Sequence, residues 1–170
     1  MSNTRNIAIG GILSASILII LYLASILPTS RLFLLMICSI ILAVIIIEVG
    51  IKAGWLSLGT TFLLALYFAQ NKSIVTLYAL FFGLYGILKA YIEGVIKNLY
   101  IQYILKLLFF NCDLLILYYL ATAFAGNIYN NVFHYAWWIV YLFLLAAFIV
   151  YDYALTAFIS YYYKHIKGKI

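Results

Sequence analysis

Residues 106–120 read KLLFFNCDLLILYYL. Apart from Lys106, Asn111 and Asp113, every side chain in this stretch is apolar or aromatic. In water such a segment belongs in a protein core. In a bilayer the apolar side chains face lipid, and the three polar ones become the costly exceptions. The fold therefore depends on which solvent surrounds the chain.

Composition answers that question. The chain has 170 residues, of which 69% are hydrophobic and 8% charged, with a mean hydropathy of +1.18. A soluble domain carries roughly a quarter charged residues. This chain has too little polar surface to cover a globule in water, so it reads as an integral membrane protein. Its N-terminal apolar run, from Ile7 to Leu27, is too long for a typical signal-peptide core. It ends in Pro28-Thr29-Ser30-Arg31 without a small-x-small cleavage pattern and reads as a retained first span.

A transmembrane helix needs about 20 apolar residues. On that measure the chain is all-α and polytopic, a single bundle and single membrane domain of six transmembrane helices. The spans fall at about 7–27, 32–49, 53–70, 73–92, 102–125 and 133–160. Gly126 to Asn131 reads as the loop between the last two. The segment 93–105 reads either as an amphipathic interfacial helix or as an extension of its neighbours. With six spans, both termini share one side. That side carries Arg5, Lys52, Lys97, Lys164, Lys167 and Lys169, against Arg31 and Lys72 opposite, with Lys89 and Lys106 close enough to snorkel to it. The asymmetry predicts a cell-membrane protein with both termini in the cytoplasm. The net charge of +6 is scattered around span ends and points to no nucleic acid.

Motifs exclude several classes. The sequence holds no Walker-type loop, HExxH, GxSxG or paired-Asp phosphotransferase motif, so no enzyme activity and no ATP hydrolysis is expected. Cys38 and Cys112 lie inside apolar runs without CxxC spacing and read as buried packing residues. Neither is near His134 or His165 in sequence, so no metal or other cofactor is expected.

The acidic residues carry more information. Glu48 and Lys52, and Lys89 and Glu93, are spaced i,i+4 and read as ion pairs on shared helix faces. Asp113 and Asp152 lie deep in the last two spans, where an ionised carboxylate costs at least ~3 kcal/mol. Asp152 reads as a structural ion-pair member near Lys89, Lys97 or Lys106. Lys106 lies two turns before Asp113 on one face, whereas Asn111 points about 160° away from Asp113. Two readings stand side by side. The polar residues hold helices together, or Asn111, Asp113, Lys89 and Tyr118 line a cavity for a small molecule or a proton. Tyr119, Tyr141, Tyr151 and Tyr153, with Tyr118, read as belt or core residues or as walls for a ring-shaped ligand.

In the first span, Gly10/Ser14 and Gly11/Ala15 are small-xxx-small pairs that allow close helix approach. They read as internal packing or as a docking face for a partner subunit. The helix IAIGGILSASILIILYLASILP resembles the first helix of the substrate-binding S components of energy-coupling factor (ECF) transporters. The following RLFLLMICSIILAVIIIEVGIKAGWLSLGTTFLLALYF, with Gly50 and Gly54, resembles their second and third helices. The resemblance covers roughly the first half of the chain. It implies a vitamin-like micronutrient bound toward the outer face, and docking through the first helix onto an ECF-type transmembrane subunit served by two ATPase subunits. One departure is the connection Pro28-Thr29-Ser30-Arg31, shorter than the gating loop of that family. The alternative is a structural or assembly scaffold with no transported ligand, as in the rod-shape morphogenesis membrane protein of similar architecture.

Overall fold

The computed structural model describes residues 3–125 and 137–165. The loop expected at 126–131, the start of the sixth span at 133–136, His134, Lys167 and Lys169 lie outside the described residues. The fold is all-α, with six helices among the described residues long and apolar enough to cross a membrane. No strand occurs among the described residues. The helices are α1 (Asn3–Ile26), α2 (Arg31–Glu48), α3 (Ile51–Phe68), α4 (Lys72–Val95), α5 (Leu99–Ala125) and α6 (Trp137–His165). The chain is a multi-pass membrane protein.

Helix ends follow backbone chemistry rather than the edges of hydropathy. Between α2 and α3 the turn is made at Gly50, whose φ of 112° and ψ of 167° are open essentially only to glycine. Its N–H donates to the Ile46 carbonyl at 3.0 Å, closing α2, and α3 starts at once rather than at 53. This turn separates Glu48 from Lys52. They do not share a helix face, which corrects the expectation of an i,i+4 pair. Asn71 caps α4 by accepting the Ser73 N–H at 3.2 Å. The segment 93–105 extends its neighbours, α4 running to Val95 and α5 starting at Leu99. In the short break, Asn98 accepts the Tyr100 N–H at 3.0 Å, and the Gln102 amide donates to the Ile96 carbonyl at 2.6 Å.

Two compact units divide the chain within α5, Met1–Leu107 and Leu108–Ile170. In the first, α1 packs on α2 and α3, and α4 packs on all three. Ile17, Leu21 and Ala24 of α1, Leu35, Cys38, Leu42 and Ile45 of α2, and Leu58 and Ala65 of α3 are buried at helical spacing. The opposite faces carry large exposed apolar side chains such as Ile12, Leu56 and Leu63. That distribution suits lipid, in which apolar surface gives helices no reason to associate, and packing and hydrogen bonds do so instead.

Small residues let the backbones close. A Cβ at Gly54 would lie 2.6 Å from Ile46 Cγ1, and one at Gly83 would collide with Leu58 Cδ1. Polar side chains then bridge the helices: the Ser14 and Ser57 hydroxyls share a 2.7 Å hydrogen bond, and the Cys38 thiol donates to the Ile17 carbonyl at 3.8 Å. Within α4, residues Tyr78–Gly83 form a π turn, in which the Leu84 N–H reaches back to the Ala79 carbonyl. The buried Ser39 hydroxyl of α2 donates to the Phe82 carbonyl in this turn at 3.1 Å.

In the second unit, the part of α5 from Leu108 onward pairs with α6. Phe110 and Phe148, both buried, stack with ring centroids 4.6 Å apart and planes 23° apart.

Candidate functional site

Along α5 the residues of one face recur at i, i+3, i+4 and i+7: Asn111, Leu114, Leu115 and Tyr118. On α6 the matching residues are Trp138, Tyr141 and Leu144. Together these seven line a groove of about 470 Å³, within the range of small-molecule sites. Its α5 wall runs about 10 Å from Asn111, midway along the helix, toward Tyr118, at the 1.5 Å rise per residue. Trp138, at the start of α6, borders the same groove, as antiparallel helices require.

A polar contact crosses the groove. The Tyr141 hydroxyl donates to Asn111 Oδ1 at 2.9 Å, joining α5 to α6. This bond orients the amide, because an acceptor used at Oδ1 places the two N–H donors on the other edge of the group. The described lining is otherwise apolar or aromatic: Leu114, Leu115, Tyr118, Trp138 and Leu144.

The candidates named from the sequence separate. Asn111 and Tyr118 meet in the groove, and Tyr141 joins them. Asp113 is not in the groove lining. It is buried at 3% exposure while Asn111 is exposed, as their angular separation on the helix requires. Asp113 Oδ2 is buried and has no hydrogen-bond partner among the described residues. Lys89 belongs to the first unit and is buried there against Glu93 Oε1 at 2.8 Å. Lys106 reaches the same oxygen at 2.7 Å and lies 5.6 Å from the Tyr103 ring centre. The expected Lys89–Glu93 pair is thus present, and Lys106 joins it, so that one carboxylate oxygen contacts both ammonium groups.

Asp152 is buried, and its backbone carbonyl accepts the Thr156 hydroxyl at 2.8 Å. Tyr151 is buried, whereas Tyr119 and Tyr153 are exposed away from the groove. Cys38 is the buried packing residue expected. Cys112 is exposed on α5, a correction that follows from its place one residue after Asn111. Trp138 and the leucines of the lining were not anticipated; the i, i+3, i+4, i+7 recurrence around Asn111 is the signal that finds half of them. No cluster of His, Cys, Asp and Glu suited to a metal ion occurs among the described residues.

Comparison with known proteins gave no match. No family model, no curated protein and no solved structure matches the chain.

On α1 the small-residue pattern splits. Ser14 is turned inward onto Ser57 of α3, while Gly11 and Ala15 are exposed, and a Cβ at Gly10 or Gly11 would meet nothing within 4 Å.

Proposed function

We propose that the chain is the membrane-embedded substrate-binding subunit of a micronutrient importer. It takes a vitamin-like small molecule in the α5–α6 groove and docks on a partner transmembrane subunit powered by separate ATPases, as S components of ECF transporters do. The observation that carries this reading is the groove itself, a small-molecule-sized space between two spans with a hydrogen-bonded amide and phenol in its wall. The exposed Gly11 and Ala15 give α1 a face on which a partner helix can approach closely. On this reading the chain is not an enzyme. It sits in the cell membrane with both termini cytoplasmic, the side that collects Arg5, Lys52, Lys97 and Lys164.

The test is co-expression with candidate transmembrane and ATPase subunits, purification through a tag on this chain, and mass spectrometry of retained small molecules. An ATPase complex carrying a retained small molecule supports the importer reading. Recovery of neither removes it. A second reading, an assembly scaffold without a ligand, is favoured by one observation. Ser14, half of the first small-xxx-small pair, is spent on a bond inside the chain. It predicts stable capture of other membrane proteins with no small molecule retained.

A further inference from the structure

We infer that Asp113 is a proton-binding site inside the membrane, its carboxyl carrying a proton at neutral pH. The site is separate from the α5–α6 groove, and the inference stands whether or not the chain is an importer subunit.

Asp113 lies one residue past the midpoint of α5, which runs Leu99–Ala125. It belongs to the buried face of that helix, with Lys106 and Phe110 before it at helical spacing. Its Oδ2 is buried and meets no hydrogen-bond donor among the described residues. A carboxylate at such depth has to be held by a cation, by convergent donors or by a metal, whereas a neutral acid needs none of these. No metal-binding cluster occurs among the described residues.

The second unit brings no cation to this depth. From Leu108 to Ala125, α5 has no Lys, Arg or His, and the first on α6 is Lys164, in its last turn. Phe110 stacks on Phe148, so antiparallel pairing sets the residues about three before Phe148 level with Asp113. Those are Leu144, Leu145 and Ala146. The titratable groups of α6 lie to either side of them. Tyr141 gives its hydroxyl to Asn111, and Tyr151 and Asp152 follow Phe148, level with residues before Phe110. On α5 itself, Cys112, Tyr118 and Tyr119 are exposed on other faces, and Lys106, two turns earlier, contacts Glu93. Removing the proton leaves a bare charge in this setting. Proton loss therefore goes together with a rearrangement that brings water or a counter-charge to the carboxyl, which ties protonation of Asp113 to the packing of α5.

Infrared spectroscopy of the full chain in lipid bilayers at neutral pH reads the proton, because the C=O stretch of a neutral acid is separate from the carboxylate bands. The unsubstituted protein is expected to show the acid band, and Asp113→Asn, which has the shape of the neutral acid, to lose it. A structural role alone would not move this band. Should the variant not fold, dicyclohexylcarbodiimide, a lipid-soluble reagent, tests the unsubstituted chain. The acid proton passes to a carbodiimide nitrogen and the carboxyl oxygen bonds to the central carbon. An oxygen-to-nitrogen acyl shift then gives a stable N-acylurea with nothing lost. Peptide mass mapping is expected to find the whole mass of the reagent on Asp113. Absence of the acid band from the unsubstituted protein overturns the inference, as does an equal band in Asp113→Asn. With no folded variant to compare, a band without an adduct on Asp113 assigns the proton elsewhere and overturns it too.

Discussion

The Tyr141 hydroxyl and the Asn111 amide oxygen meet at 2.9 Å between two membrane-spanning helices. In lipid this bond replaces an association force that water would otherwise supply. Both groups also border the groove, so a contact that joins α5 to α6 lies in the wall of the proposed site.

A double-mutant cycle on Tyr141→Phe and Asn111→Leu measures the contact. Each single change is expected to lower stability by about 1 kcal/mol. The coupling between them should be about 0.6 kcal/mol, the average for hydrogen bonds between membrane helices. Reversible unfolding in mixed micelles reads both. Strictly additive losses would show that the bond contributes nothing.

Glu93→Gln should be among the most damaging single changes in the first unit. It removes the carboxylate that Lys89 and Lys106 both contact and leaves two buried ammonium groups without it. Breaking a buried pair costs roughly 3–5 kcal/mol. Glu93 is 30% exposed, so solvent screening lowers the expected loss toward or below the bottom of that range. Adding Lys106→Met should recover part of the lost stability. A Glu93→Gln protein with unchanged thermal stability would refute the assignment.

Gly83→Ala and Gly10→Ala separate close packing from mere glycine content. The first drives a methyl into Leu58 and should cost about 1–3 kcal/mol. The second meets nothing within 4 Å and replaces a helix-interior glycine, so it should be neutral or stabilising by up to about 1 kcal/mol. If Gly10 is part of the docking face, the same change lowers partner recovery without lowering stability. The ratio of recovered partner to folded chain reads this.

Asp113→Leu should be tolerated. A buried polar atom with no hydrogen-bond partner contributes only its desolvation cost, which an apolar side chain removes. Thermal stability is expected to stay level or rise. A loss comparable to that of Glu93→Gln would mean that the carboxylate holds the fold.

Topology has its own test. Single cysteines introduced as Asn3→Cys and Gly168→Cys, in a background with Cys38 and Cys112 removed, should react with an impermeant maleimide from the same side. Six spans require it. Labelling from opposite sides would mean an odd number of crossings.

The helices were legible because a bilayer demands long apolar runs, and α1 to α5 fall within a few residues of their expected bounds. Their ends were less so. The expected third span began at 53, while the helix begins at Ile51, because Gly50 alone provides the backbone angles of the turn. The Lys89–Glu93 pair was legible from spacing along one helix. The second partner, Lys106, was not, since nothing local in the sequence brings α5 onto Glu93. For the same reason Asn111 was found by its cost in an apolar run, whereas its partner Tyr141 was one tyrosine among several. Local pattern reveals which side chains are out of place, and only the fold reveals what each one meets.

The π turn at Tyr78–Gly83 has a consequence for insertions and deletions. Such a turn spends one more residue than an α-helical turn, so everything after it is set back by about 100° around the axis. Lys89 and Glu93 lie downstream, and their bearing toward Lys106 depends on that offset. Removing one residue between Tyr78 and Gly83 would let α4 relax into uninterrupted α-helix and swing both charged side chains off their bearing. Removing one residue from the 96–98 connection would leave the bearing of Lys89 and Glu93 on α4 untouched. Homologous chains should therefore vary in length at that connection more readily than within the π turn.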